Sequence, residues 1–166
     1  MSIDITYIKL RKGFCYLACI IDVFSRKIMV CEISPFLDTK LCLDVLCKAL
    51  GKGIPEIINS DQGCQFTSNK WINKLKENNI KISMDGKNCW YDNIIIERFW
   101  RSLKYELIYL NGFETVREVS NAISNYINFY NKERLHQTLD YKTPDTECFI
   151  LVLMETKIFW NKYILI

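Results

Sequence analysis

The sequence predicts an α/β domain built on a mixed five-stranded sheet, with three antiparallel strands first, later strands reached through crossovers, and helices flanking the sheet. Three observations predict it. Residues 3–34 hold three β-branched, aromatic or apolar runs separated by short turns, the pattern of an antiparallel meander. After residue 38 the hydrophobic period changes from strand-like to helical and then alternates between the two, as helical crossovers require. Finally, 166 residues with 49% hydrophobic and 25% charged side chains suit one domain with a sizeable core, which excludes a disordered tail or a fibrous repeat.

Residues 3–10 alternate partially and read as a strand, and Arg11, Lys12 and Gly13 form a tight turn. Residues 14–23 are almost continuously apolar, as expected of a strand buried on both faces. Ser25 and Arg26 turn the chain into a third strand at 28–34. Asp38 and Thr39 then cap a helix whose apolar face is Leu41, Cys42, Val45, Leu46, Ala49 and Leu50, with Gly51 or Gly53 ending it. A short strand at 54–59 leads into Asp61-Gln62-Gly63. Ser68 caps a helix with Trp71, Ile72 and Leu75 inward, and 80–84 make the fifth strand. A loop containing Gly86, Asn88 and Asp92 precedes a long helix from about 93 to 110 with Asp92 as its natural cap. Thr115 and Glu118 form a capping box that opens a helix with Val116, Val119, Ile123, Tyr126, Ile127 and Tyr130 on one face. The domain is expected to span 1–148, followed by an atypical tail at 149–166 with neither caps nor a clean period.

A net charge of +3 permits an anionic partner without demanding one. The eight cysteines contain no C-x-x-C pair, and the single histidine, His136, has no second ligand at zinc spacing, which argues against a zinc site. Several cysteines sit in apolar runs, where a reduced thiol behaves as a small buried hydrophobe. With no leader before the first strand and no apolar run approaching ~20 residues, the expectation is a reduced, cytoplasmic protein with no membrane partner.

Three carboxylates stand out by position. Asp4 lies in the first strand between Ile3 and Ile5, where an unpaired acid is unfavourable. Asp61 follows a strand at the start of a glycine-containing loop, and Glu97 sits about one turn into the long helix. There are 56 residues between the first two and 35 between the second and third. Three acids brought together repel one another, and a hard divalent cation reverses that balance. Two such ions about 4 Å apart can activate a nucleophile and stabilise the leaving oxygen of a phosphodiester. The absence of His and Cys beside these acids favours Mg²⁺ or Mn²⁺ over zinc. Each acid also has a plainer reading. Asp61 can serve its own turn, and Glu97 can be a surface residue.

On the long helix, Ile96, Phe99, Trp100, Leu103, Leu107 and Leu110 fall on one stripe, the expected core face. Glu97, Arg101 and Lys104 share an edge of that stripe within about 60°. Such an edge suits phosphate held beside a metal site, or an ordinary i,i+4 ion pair.

These residues match a family pattern. Ser60-Asp61-Gln62-Gly63-Cys64-Gln65-Phe66-Thr67-Ser68 resembles the second-aspartate signature of the retroviral-type integrase core in insertion-sequence transposases, and Asp4-Ile5-Thr6-Tyr7 resembles the first. Residues 83–88 and 92–106, which include Glu97, are similar to the glutamate signature of the IS3 family. Asn128 to Asn131 with Arg134, His136, Gln137 and Pro144 resemble its closing motif. The resemblance implies an RNase H-like fold and a DDE transposase or integrase, a polynucleotidyl transferase. It would act on DNA by in-line displacement, with Asp4, Asp61 and Glu97 as both catalytic and metal-binding residues for two Mg²⁺ (or Mn²⁺) ions. It also implies DNA contacts from Lys104 and, more weakly, Arg101, with element ends and target DNA as partners and a homo-oligomer on that DNA. Asn59, Leu135 and Asp140 replace the family's usual His, Pro and Gly. The family's upstream helix-turn-helix region is not in this sequence, so an alternative is a truncated, inactive remnant that binds DNA or a full-length transposase. A third is a related nuclease acting on hybrids or junctions.

Overall fold

A computed structural model of the chain describes residues 1–84 and 93–152. Its strands are β1 (Ser2–Lys9), β2 (Phe14–Ile21), β3 (Ile28–Ser34), β4 (Ile57–Ser60) and β5 (Lys81–Met84), arranged β3-β2-β1-β4-β5. The meander β1–β2–β3 is antiparallel, while β4 joins β1, and β5 joins β4, in parallel. This is the expected mixed sheet, and β1 is its central strand.

The helices are α1 (Thr39–Leu50), α2 (Asn69–Glu77), α3 (Ile94–Leu103) and α4 (Val116–Lys132). Their caps are those the sequence specifies. Asp38 accepts from the Leu41 N–H, Ser68 from the Trp71 N–H, and Thr115 from the Glu118 N–H. The two sheet faces bury different residues. Ile3, Ala18 and Ile20 pack with Val45, Leu46, Trp71 and Leu75 of α1 and α2. Leu17, Cys19 and Ile21 pack with Ile96, Phe99 and Leu103 of α3 and Val119 and Ile123 of α4. The continuous apolarity of β2 follows, because it is covered on both sides.

Three expectations need correction. The fourth strand begins at Ile57 rather than 54, since Pro55 has no N–H to give a ladder and Ile54 is left exposed. The long helix does not hold its 3.6-residue period to 110. After Leu103 it widens into a π-helical turn (Lys104–Ile108), which retards the rotation. Ile108 therefore enters the core, and Leu110, expected on the buried stripe, is 74% exposed.

The third correction concerns the cysteines. Cys19 and Cys31 stand directly opposite each other on β2 and β3 with Cα atoms 4.2 Å apart, and they are joined as a disulfide rather than reduced. Cys15 and Cys42 are buried free thiols, as their apolar runs predict.

Among the described residues no helix is long and apolar enough to cross a membrane. A helix beginning at 144 runs across position 149 to 152, and the rest of the predicted tail lies outside the described residues.

Candidate active site

Asp4 projects from the middle strand towards α3. Its Oδ1 accepts the Ile5 N–H at 2.7 Å, and its Oδ2 accepts the Trp100 indole N–H at 2.7 Å. Trp100 is one turn beyond Glu97 on α3 and is 6% exposed, so the bond is fixed by core packing. Burial, above all, pushes the Asp4 carboxyl up to about 6 against the pull of these two donors, and the charges of Asp61 and Glu97 push in the same direction. The Asp4 carboxylate thus feels the charge of both other acids.

Asp61 lies just past the end of β4. Its Oδ1 accepts the Gly63 N–H at 2.9 Å, so it performs the turn work of the plainer reading while its carboxylate stays exposed. Space at Gly63 is tight. A Cβ there would meet Asp61 Oδ1 at 2.9 Å and Gln65 Oε1 at 3.2 Å. Asp4 and Asp61 line one cleft of about 170 Å³ together with Tyr7, Tyr16, Gln65 and Phe66. A larger groove of about 930 Å³ runs between β3 and α4 and contains none of the three acids.

Glu97 is exposed in the first turn of α3, where the helix dipole favours an anion. It does not line the cleft and joins the other two through its charge on Asp4. The expected cap Asp92, like the rest of 85–92, lies outside the described residues. The cap position is held by Asn93, whose side chain serves a different purpose. Ser2 Oγ donates to Asn93 Oδ1 at 3.0 Å and Asn59 Nδ2 to the same oxygen at 3.4 Å, all three residues being buried. Ser2, Asn59 and Asn93 precede Asp4, Asp61 and Glu97 by two, two and four positions. One buried polar knot thus fixes the starts of the three segments that carry the acids. Polar residues inside the apolar ends of β1 and β4 were its only sequence signal.

Lys104 Nζ stands 5.0 Å from the centre of the Tyr7 ring, beside the cleft, while Arg101 is exposed one turn nearer Glu97. The π-helical turn that carries Lys104 is tied down by Glu106, which accepts from Arg134 Nη2 and Tyr126 Oη, both at 2.7 Å. The glutamate and closing motifs therefore meet in space. His136 packs edge-on to Tyr130 at 4.8 Å, and burial, then the Arg134 charge, push it down to about 4.

Among the described residues no three Asp, Glu, His or Cys side chains are drawn close enough to hold an ion outright. The donor set of Asp4, Asp61 and Glu97 is nevertheless all carboxylate oxygen, with the charges of the other two acting on Asp4, which fits a hard divalent cation and not zinc.

The profile of the integrase core domain family matches residues 1–88, and a second integrase core domain profile matches 78–144. This chain belongs to the integrase core domain family. The curated relatives it resembles are transposases of insertion sequences. It is 42% identical over 145 residues to the transposase of insertion sequence element IS904 from Lactococcus lactis subsp. lactis (strain IL1403), covering 85% of this chain and 57% of that protein. It is 36% identical over 147 residues to transposase InsF of insertion sequence IS3A from Escherichia coli (strain K12), covering 86% of this chain and 51% of that protein. The chain thus spans little more than half the length of these curated relatives.

Among solved structures, the catalytic core domain of HTLV-2 integrase in complex with magnesium, in its trimeric form, aligns with a TM-score of 0.70 at 20% identity, over 88% of this chain and 93% of that one. The BIV integrase catalytic core domain aligns with a TM-score of 0.69 at 20% identity, over 95% of this chain and 97% of that one. The fold of this integrase core member is therefore the RNase H-like one expected.

Proposed function

We propose that this chain is the catalytic core of a DDE transposase, a polynucleotidyl transferase that cleaves DNA strands and joins their ends to target DNA. The observation that supports the reading is that Asp4 of β1 and Asp61 just past the end of β4 line one cleft, with the charge of Glu97 on α3 acting on Asp4. These three would hold two Mg²⁺ (or Mn²⁺) ions. The HTLV-2 core was solved with magnesium, which supports that choice. A bound cation would supply a lowered nucleophile pKa and charge stabilisation at the phosphorus centre.

The chain's own side chains set the rest. Trp100 and the Ile5 N–H fix both oxygens of Asp4, so that the carboxylate is oriented before substrate arrives. Lys104 and Arg101 hold the phosphate backbone along the edge of α3 that begins at Glu97. The Asn93 knot keeps the three segments in register with one another. Partners are DNA, both element ends and target, and further copies of the chain assembled on it. The setting is the bacterial cytoplasm. Residues 1–148 form the core and 149–166 an atypical tail.

The test is plasmid nicking and oligonucleotide strand transfer by the purified chain in Mn²⁺. Both activities are expected, and Glu97→Gln is expected to abolish them. No nicking or joining of any DNA, or activity indifferent to Glu97→Gln, overturns the reading.

A further inference from the structure

We propose that the cleft beside Asp4 and Asp61 is a subsite for one unstacked nucleobase of the bound DNA strand. Tyr7 would be its stacking wall, and Lys104 would take the adjoining phosphate. This rests on the reading of the chain as a DNA strand-transfer core.

The placement of Tyr7 is the first support. It lies on the sheet face that buries Ile3 against α1 and α2, yet its own ring is 61% exposed. The β1–β2 register sets it opposite Tyr16, and Phe14 meets it edge-on at 5.9 Å, so the ring is both held and open. A rigid exposed aromatic gains contact area on binding with little loss of side-chain freedom. Tyr7 is three residues along the strand from Asp4, about 10 Å, so the two side chains leave β1 on opposite faces. Both residues nevertheless line the one cleft, and a base lying on Tyr7 belongs to a nucleotide neighbouring the phosphate beside Asp4.

The shape and chemistry of the cleft agree. At about 170 Å³ it accepts a single heterocycle and excludes a duplex. Phe66 and Tyr16 give it aromatic walls. Gln65, whose side-chain amide is engaged by no hydrogen bond among the described residues, adds a donor and an acceptor for a base edge. Among the described residues the Lys104 ammonium is held on Tyr7 only through the ring face. Such a contact at an exposed site is weak and yields readily to a phosphate. Aromatic rings interleaved with cations are the recurring platform for unpaired nucleotides. Extrusion is cheapest for a base that is already unpaired, so strand ends are the natural ligand.

The test measures binding to two duplexes of equal length with calcium as the ion. One is fully paired, and the other has its last two nucleotides unpaired and carries 2-aminopurine there. Tyr7→Ala is expected to weaken binding to the unpaired end about tenfold, within the range for loss of one base–aromatic stack, and to abolish the change in 2-aminopurine fluorescence. Its affinity for the paired duplex should change less than about twofold, since that contact is mainly phosphate. Tyr7→Phe should behave as the parent chain, and Gln65→Ala should reduce the preference among bases at the end.

Equal losses on both duplexes overturn the proposal, as does no loss on either. A changed sedimentation state without altered discrimination also overturns it, because Tyr7 would then face a second copy of the chain. Strand transfer in Mn²⁺, with and without Glu97→Gln, is run on the same preparation. If that activity is present and sensitive to Glu97 while Tyr7→Ala discriminates normally, only the subsite fails. If it is absent, the parent reading fails and the subsite with it.

Discussion

Trp100 and Asp4, 96 positions apart in the chain, are joined by a 2.7 Å hydrogen bond from the indole N–H to Oδ2. Because Glu97 is three residues before Trp100, one helix both carries an acid of the trio and steers another. Trp100→Phe keeps an aromatic ring in the core and removes the donor. It is expected to lower Mn²⁺ affinity about tenfold, the usual scale for loss of a residue that orients a metal ligand. Its circular dichroism should stay that of the parent. Calorimetric Mn²⁺ titration is the measurement, and an unchanged affinity would show that the bond is packing alone.

Asp4 also makes metal-free stability depend on pH, and the sign is definite. The carboxyl titrates near 3.8 when unfolded and near 6 in the fold, so the folded state binds the proton more tightly. Its contribution is complete at low pH and is lost as the pH rises through about 6, on the order of 3 kcal/mol at most. In EDTA, the urea midpoint of the parent chain should therefore fall relative to Asp4→Asn between about pH 4 and pH 6 and then run parallel to it. Added Mn²⁺ at neutral pH should raise the parent and leave Asp4→Asn nearly unmoved. Parallel profiles across the whole range would contradict the burial of this charge.

Most of the fold was legible because local signals agree with the tertiary answer. Asp38, Ser68 and Thr115 cap the helices that follow them, and the apolar run of β2 is covered on both faces. The acids were legible as separate strand-end and helix-start positions. What joins them was not. The knot among Ser2, Asn59 and Asn93 exists only once β1, β4 and α3 are assembled. Trp100 was legible as a core residue on the buried stripe, but its donor role depends on where Asp4 lies across the interface. Leu110 was misplaced because a π-helical turn breaks the period from which it was extrapolated.

The Cys19–Cys31 bridge was hidden for a related reason, since twelve residues of separation say nothing until strand register sets the two face to face. Cys19 is also the residue directly opposite Asp4 on β1, so the bridge lies beneath the site. A loop of this size is worth about 3 kcal/mol through the unfolded chain. Chain unfolded without reductant should show two fewer free thiols than its eight cysteines. Its urea midpoint should fall on reduction, and Cys31→Ser should remove that dependence. Eight reactive thiols before reduction would place the protein in the dithiol form.

Gly63 separates a contribution to stability from one to chemistry. Its backbone is not in a left-handed conformation, so alanine brings no backbone strain. The added Cβ would instead stand 2.9 Å from Asp61 Oδ1 and 3.2 Å from Gln65 Oε1. Both atoms end exposed or half-exposed side chains that can swing away, so Gly63→Ala should change global stability by no more than about 1 kcal/mol. The swing carries the Asp61 carboxylate out of the position it shares with Asp4 across the cleft. A displacement of that kind is sufficient to cost about 100-fold in rate where geometry sets reactivity. The expected pattern is a near-parental urea midpoint, weakened Mn²⁺ binding and a strand-transfer rate reduced by that order. A parental rate would show that Asp61 tolerates the displacement and that its position in the turn does not set the chemistry.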